Sequence, residues 1–234
     1  MVLYKLIRKL RLWNLRGTRF YCPLCEKGFK SFLPAGINSR PNAMCPNCGS
    51  LERHRLLWIT LLKLWAHGKL KKSGNMLHIA PELPLARKFK KTFNYLSADI
   101  DENVAQIKMD ITDIQFPDGT FDVIICNHVL EHVIDDKKAM SELFRILKSD
   151  GWASVQVPVG EDSTFEDNTV TDPKERERLF GQSDHVRIYG KDFPERLTSA
   201  GFTVSTYFKD EIIEPGQNSL FSLECEHQIY IVTK

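Results

Sequence analysis

From residue 75 onward, short apolar runs alternate with longer amphipathic stretches. Met76–Ala80, Asn94–Ala98, Phe121–Cys126 and Trp152–Val157 have strand length, and a further short strand is expected to end near Met109. Phe121–Cys126 is apolar almost throughout and follows the turn Asp118-Gly119, which suits a parallel strand covered on both faces. Leu85–Lys91, the stretch leading to Lys148 and the segment Gly190–Ala200 carry helical patterns, and Phe202–Phe208 and Gln228–Val232 supply two final strands. Strands alternating with helices, closed by two sequential strands, predict one α/β domain over residues 75–234. Asn127, His128, Glu131 and His132 crowd the carboxyl end of the apolar strand, where open sheets of this kind bind ligands.

The first 74 residues follow another pattern. Leu3, Leu6, Ile7, Leu10 and Trp13 recur at helical spacing opposite Lys5, Arg8, Lys9 and Arg16, predicting a basic amphipathic helix within residues 1–19. Its apolar stripe either packs on its own module or a second subunit, lies on an anionic membrane surface, or accompanies nucleic-acid binding. Residues 20–50 contain Cys22-Pro23-Leu24-Cys25 and Cys45-Pro46-Asn47-Cys48, two C-x2-C pairs with 19 residues between them. Four thiolates so spaced close a tetrahedral site and leave no position for water, so a structural Zn2+ on Cys22, Cys25, Cys45 and Cys48 is expected. Two disulfides are the alternative, disfavoured in a reducing compartment. Phe29, Phe32, Leu33 and Ile37 make too small a core to fold alone, so the metal would supply folding free energy. Cys126 and Cys225 read as structural thiols. Residues 51–74 read as a helix capped by Ser50 and then a linker, with Arg53, His54 and Arg55 either an anion contact or a solvated face.

Charge sharpens this division. Residues 1–72 hold 15 Lys/Arg against Glu26 and Glu52, whereas residues 73–234 hold 17 against 28 Asp/Glu. A basic module seeks a polyanion, an anionic membrane face or an acidic partner, which includes the acidic half of its own chain. No apolar run reaches the ~20 residues needed to span a bilayer, and charges interrupt the start of the chain, so a cytoplasmic location, with peripheral contact at a membrane surface as an option, is expected.

The run from Asp110 to Lys148 contains Phe116-Pro117-Asp118-Gly119-Thr120-Phe121-Asp122, Asn127-His128-Val129-Leu130-Glu131-His132 and Leu143-Phe144-Arg145-Ile146-Leu147-Lys148 before Gly151. In content and order it resembles the class I S-adenosylmethionine (SAM) dependent methyltransferases of the type 11 group, and the chain looks like a subgroup with an N-terminal zinc ribbon. The resemblance implies a Rossmann-like seven-strand sheet over residues 75–234 and a SAM site. Asp99, at the end of the second strand, would hold the ribose hydroxyls, with Asp101 as alternative and Ile100 beside it. Asp110 and Ile111 would receive the adenine, although Asp110 also reads as a turn cap. Asn127 and His128 would floor the methionine end. The first loop departs from the family's glycine-rich pattern: His78-Ile79-Ala80-Pro81-Glu82-Leu83-Pro84 has no glycine, so Ala80, Pro81 and Glu82 would have to make the cofactor contacts.

Methyl transfer from a sulfonium requires alignment and, for a hydroxyl or amine acceptor, a base. His128 and His132 are candidates because imidazole titrates near neutrality. Asp184 and His185 form a second candidate pair, with Arg187 and Tyr189 as acceptor contacts and the polar stretch 161–178 as a lid. The leading expectation is methylation of a hydroxyl on a small-molecule or glycan-like acceptor. The alternatives are an RNA methyltransferase gripping phosphates through residues 1–72, and a non-catalytic partner of another methyltransferase. Acceptor and oligomeric state are not legible in the sequence.

Overall fold

The computed structural model describes residues 12–36, 38–160, 163–224 and 227–234. Most of the expected basic helix, Ile37, Glu161 and Cys225 lie outside the described residues. The chain divides into two compact units, each drawn from separate segments: 1–70, 82–91 and 207–229 form one, and 71–81, 92–206 and 230–234 the other.

In the first unit, β1 (Arg16–Cys22) pairs antiparallel with β2 (Lys27–Phe29), and β3 (Leu33–Ala35) with β4 (Arg40–Met44). Phe20, Phe29 and Phe32 fill the space between, with ring centroids 5.3–5.9 Å apart. The helix Glu52–Ala66 buries Leu56, Leu57, Leu61 and Leu64. Its N-cap is Leu51 rather than Ser50, and His54 Nδ1 accepts the Leu51 N–H at 2.9 Å. Ser50 is buried, its hydroxyl drawn to the sulfurs of Cys22 and Cys48 at 3.2 and 3.3 Å. Arg55 is wholly buried and donates to the carbonyls of Ala43, Ser50, Phe221 and Ser222 at 2.7–3.0 Å. Four charge-assisted bonds of this kind offset the desolvation of a guanidinium. Short helices Leu83–Phe89, Lys209–Ile212 and Gln217–Phe221 complete the unit, Phe89 meeting Trp58 at 6.1 Å.

The second unit is built on a sheet of β5 (Asn75–Ile79), β6 (Asn94–Asp99), β7 (Ile107–Lys108), β8 (Phe121–Asn127) and β9 (Leu147–Gln156). A small ribbon of β10 (Phe165–Glu166) and β11 (Arg187–Ile188) follows, then β12 (Thr203–Phe208) and β13 (Gln228–Thr233). The seven-strand order is β12-β13-β9-β8-β5-β6-β7, with β13 antiparallel to β9 and β5 to β9 parallel to their neighbours. Successive crossovers leave β5 in opposite directions, so its border with β8 is the switch point where a crevice forms. β8 is covered on both faces, as its continuous apolar run predicts. The helix Asp136–Ile146, capped by Asp135, buries Ala139, Met140, Leu143 and Ile146 against that core. Gly74 enters β5 at φ +107°, where a Cβ would fall 2.5 Å from the Asp122 carboxylate. That carboxylate takes the Asn75 N–H at 2.9 Å and Lys148 at 2.7 Å. The stretch expected to be a lid holds β10 and a capped helix, Pro173–Phe180. No helix among the described residues is long and apolar enough to cross a membrane.

Candidate functional site

A cavity of about 830 Å³ opens where β5, β6 and β8 end. β5 delivers Ile79 and Ala80, β6 delivers Asp99 and Ile100, the segment after β7 gives Met109 to Thr112, and His128, Val129 and His132 to Asp135 follow β8; Asp184 adds a further wall. Its size suits a nucleoside-sized ligand. Ala80 and His128, on facing strands of the switch point, both have left-handed backbones, at φ +46° and +54°. Such conformations cost a non-glycine residue about 1–2 kcal/mol and persist where surroundings enforce them. Ala80 thus keeps a backbone that glycine would supply without strain, held by its N–H to the Ala98 carbonyl at 2.9 Å.

The wall carries Asp99, Asp110, Asp135 and Asp184 and no lysine or arginine among the described lining residues. Asp110 accepts both the N–H and the hydroxyl of Thr112 at 2.8 Å, which holds its carboxyl below the usual range. Asp99 turns one oxygen to the Asp101 N–H at 2.9 Å. Carboxylates at the ends of β6 and β7, with Ile79, Ile100, Met109 and Ile111 between them, fit a nucleoside: diol and amino donors for the acids, an aromatic face for the aliphatics. The acidic wall also suits the net positive charge of SAM.

At the β8 end, His128 Nδ1 lies 3.3 Å from Glu131 Oε1, and His132 Nδ1 lies 3.3 Å from both the carboxylate and the carbonyl of Asp184. Each imidazole therefore has an oxygen at one ring nitrogen, which sets its tautomer. His185 is buried beside His132, ring centroids 4.7 Å apart. Burial, with His132 adjacent, lowers its pKa.

Other expected site residues are placed differently. Asn127 is buried, with its Oδ1 accepting from Ser154 Oγ at 3.0 Å. Glu82 belongs to the first unit, where its carboxylate takes Arg53 at 3.0 Å and His54 at 2.5 Å. Arg187 and Tyr189, expected as acceptor contacts, are 1% and 0% exposed. Arg187 donates to Glu166 at 2.8 Å and to the carbonyls of Leu130, Val133 and Ile134, clamping the loop that carries His132. Tyr189 donates to Asp136 at 2.6 Å, and Arg196 donates to the same carboxylate at 2.8 Å. The sequence places Glu131 at the strand end without assigning it a role, and it gives no signal for the bracing by Asp136, Glu166 and Arg196.

In the first unit, Cys22 ends β1, Cys25 lies in the turn before β2, and Cys45 and Cys48 follow β4, all four sulfurs within 4.8 Å of one another. The Cys22–Cys48 and Cys25–Cys45 sulfur distances are 3.6 and 3.7 Å. A tetrahedron with ~2.3 Å metal–sulfur arms has edges of ~3.8 Å, whereas a disulfide needs ~2.05 Å. The four cysteines therefore fit a tetrathiolate metal site and not two disulfides. Ser50 and the nearby Arg55 cation complement the negative charge such a site would carry.

Residues 74–155 match the family model of a methyltransferase domain, Methyltransf_11. The chain is 37% identical over 132 residues to the uncharacterised protein MJ0638 of Methanocaldococcus jannaschii, covering 53% of this chain and 54% of that protein. It is 30% identical over 118 residues to the mitochondrial arginine-hydroxylase NDUFAF5 of Rattus norvegicus, covering 50% and 34% respectively. The chain thus spans about half or less of the length of these curated relatives. A SAM-dependent methyltransferase from Archaeoglobus fulgidus shares the fold, with a TM-score of 0.50 at 13% identity, over 79% of this chain and 95% of that one. Residues 74–155 thus match a methyltransferase domain model, and the seven-strand sheet around them shares the fold of the Archaeoglobus fulgidus protein.

Proposed function

We propose that the chain is a SAM-dependent methyltransferase acting on a hydroxyl of a small-molecule or glycan-like acceptor, with a structural zinc on Cys22, Cys25, Cys45 and Cys48. The observation that carries this reading is the convergence of Asp99, Asp110 and two carboxylate-backed histidines on one acidic cavity. Bound there, the cofactor supplies an electrophilic methyl group on a sulfonium. Asp99 would accept hydrogen bonds from the ribose hydroxyls, Asp110 would accept one from the adenine amino group, and Ile111 would pack the ring. Transfer to a hydroxyl would form an O–C bond as the methyl–sulfonium bond breaks, leaving the neutral thioether S-adenosylhomocysteine, and the hydroxyl proton must go to a base. His128 is the base we assign, because Glu131 engages its Nδ1 and leaves Nε2 to receive that proton.

Two features weigh against RNA as the acceptor. The cavity wall offers phosphates four carboxylates and no described cation. Part of the basic surplus is also engaged internally: Arg40 pairs with Glu52, Arg53 with Glu82, and Arg55 is buried. A flat response of RNA retention to salt would remove that rival.

Calorimetry with S-adenosylhomocysteine tests the reading. Binding is expected, weakened at least ~10-fold by Asp99→Ala with the melting temperature unchanged, since a charge-assisted diol contact is lost. No heat at millimolar ligand would remove the cofactor site and leave the non-catalytic partner. Binding without a methylated product across a panel of hydroxyl acceptors would redirect attention to other chemistry, such as that of the relative named arginine-hydroxylase.

A further inference from the structure

Beside the cavity, the structure gathers one carboxylate and two imidazoles whose joint arrangement the methyl-transfer reading does not require. One ligand atom each from Glu131, His132 and His185 lie within 4.8 Å of one another. Glu131 is 2% exposed. Its Oε1 faces His128, but its Oε2 is buried with no hydrogen-bond partner. A buried carboxylate oxygen left without a donor calls for an explanation, and an unseen cation is one.

The imidazoles are set up to match. His185 Nδ1 lies 3.1 Å from the Phe180 carbonyl, so it is the protonated nitrogen and Nε2 carries the lone pair. His132 Nδ1 has Asp184 oxygens at 3.3 Å, which assigns its tautomer in the same way. A ligating histidine usually donates its second N–H to a carbonyl or carboxylate, the arrangement found at both residues. The Arg187 clamp on Leu130, Val133 and Ile134 fixes the loop that brings Glu131 and His132 together.

We propose that Glu131, His132 and His185 bind one divalent transition-metal ion, a site separate from the four cysteines. Two imidazoles and one carboxylate select Zn2+, Fe2+ or Co2+ over Mg2+, and three protein ligands leave positions open. His132 and Asp184 also line the cavity, so an open position would face the acceptor. There the ion would bind an acceptor oxygen and lower its pKa. Only this last step rests on the methyltransferase reading; the site itself does not.

The test is cobalt(II) added to the purified full chain, with its cysteine site zinc-loaded, followed by desalting, elemental analysis and visible spectroscopy. One cobalt per chain is expected, with d–d absorption and no thiolate charge-transfer band. His132→Ala, at a partly exposed position, should weaken cobalt binding at least ~10-fold with an unchanged melting curve. His185→Ala should do the same and, if it unfolds, His132→Ala decides alone. Failure to retain cobalt, retention undiminished in His132→Ala, or a thiolate band from the bound ion would each overturn the proposal. None of these readouts depends on SAM binding, so this site and the cofactor site can fail separately.

Discussion

Arg145 donates through Nη1 to the Phe116 carbonyl at 2.7 Å, tying the helix Asp136–Ile146 to the turn that precedes β8. The same guanidinium reaches the Ile114 carbonyl at 2.8 Å and Asp118 at 2.9 Å. Two sequence runs nearly thirty residues apart, Phe116–Asp122 and Leu143–Lys148, are therefore one structural device. Arg145→Leu leaves two carbonyls without this donor and should cost about 2 kcal/mol or more in urea denaturation.

Glu142 braces that arginine at 2.7 Å and accepts the Ile114 N–H at 2.9 Å. The Arg145 hydrogen bond holds the Glu142 carboxyl below its ordinary value of 4.5. Because the folded pKa is the lower one, the unfolded chain takes up the proton first. The stabilisation is thus present above about 4.5 and is lost as the pH falls through the folded value. Glu142→Gln should be less stable than the parent at pH 7, and the gap should narrow as the pH falls below about 4.5. A gap independent of pH in matched denaturation curves would mean that charge has no part in it.

Ala80 offers a test of strain. Ala80→Gly relieves about 1–2 kcal/mol of left-handed strain and loses about 0.5–1 kcal/mol through a freer unfolded chain. A net gain of about 0.5–1 kcal/mol is expected by thermal denaturation. Ala80→Val should destabilise, because a β-branched residue tolerates this backbone less well.

Cys45→Ser removes one sulfur from the tetrathiolate arrangement. Zinc retained at that site after desalting should fall well below one equivalent. The helix Glu52–Ala66 should lose protection from hydrogen exchange, because Arg55 bonds to Ala43 and Ser50 beside the cysteines. Unchanged zinc content and unchanged exchange would contradict a metal role for Cys45.

The sheet was legible because buried parallel strands must be apolar, and β5, β6, β8 and β9 advertise themselves as such runs. The position of Asp99 was legible because it depends only on where β6 ends. The bracing contacts of Arg187 and Tyr189 were not legible for a physical reason: polar side chains near a strand end look alike whether they bind a ligand or brace a loop. Their partners decide, and Asp136 and Glu166 stand 53 and 21 residues away in sequence. Ser50 shows the same limit at short range, since a hydroxyl suited to capping a helix went to sulfur. The pairing of Arg53 and His54 with Glu82 likewise depends on how distant segments meet.

The first unit's assembly from three stretches of chain has a consequence for biosynthesis. Arg55 emerges from the ribosome early, yet two of the carbonyls that receive it belong to Phe221 and Ser222. Until those residues are translated, the guanidinium has only half its final partners. The full set of Arg55 contacts can therefore form only once residues 221 and 222 have been translated, and a nascent chain halted before residue 221 holds that buried cation with two donors unmatched.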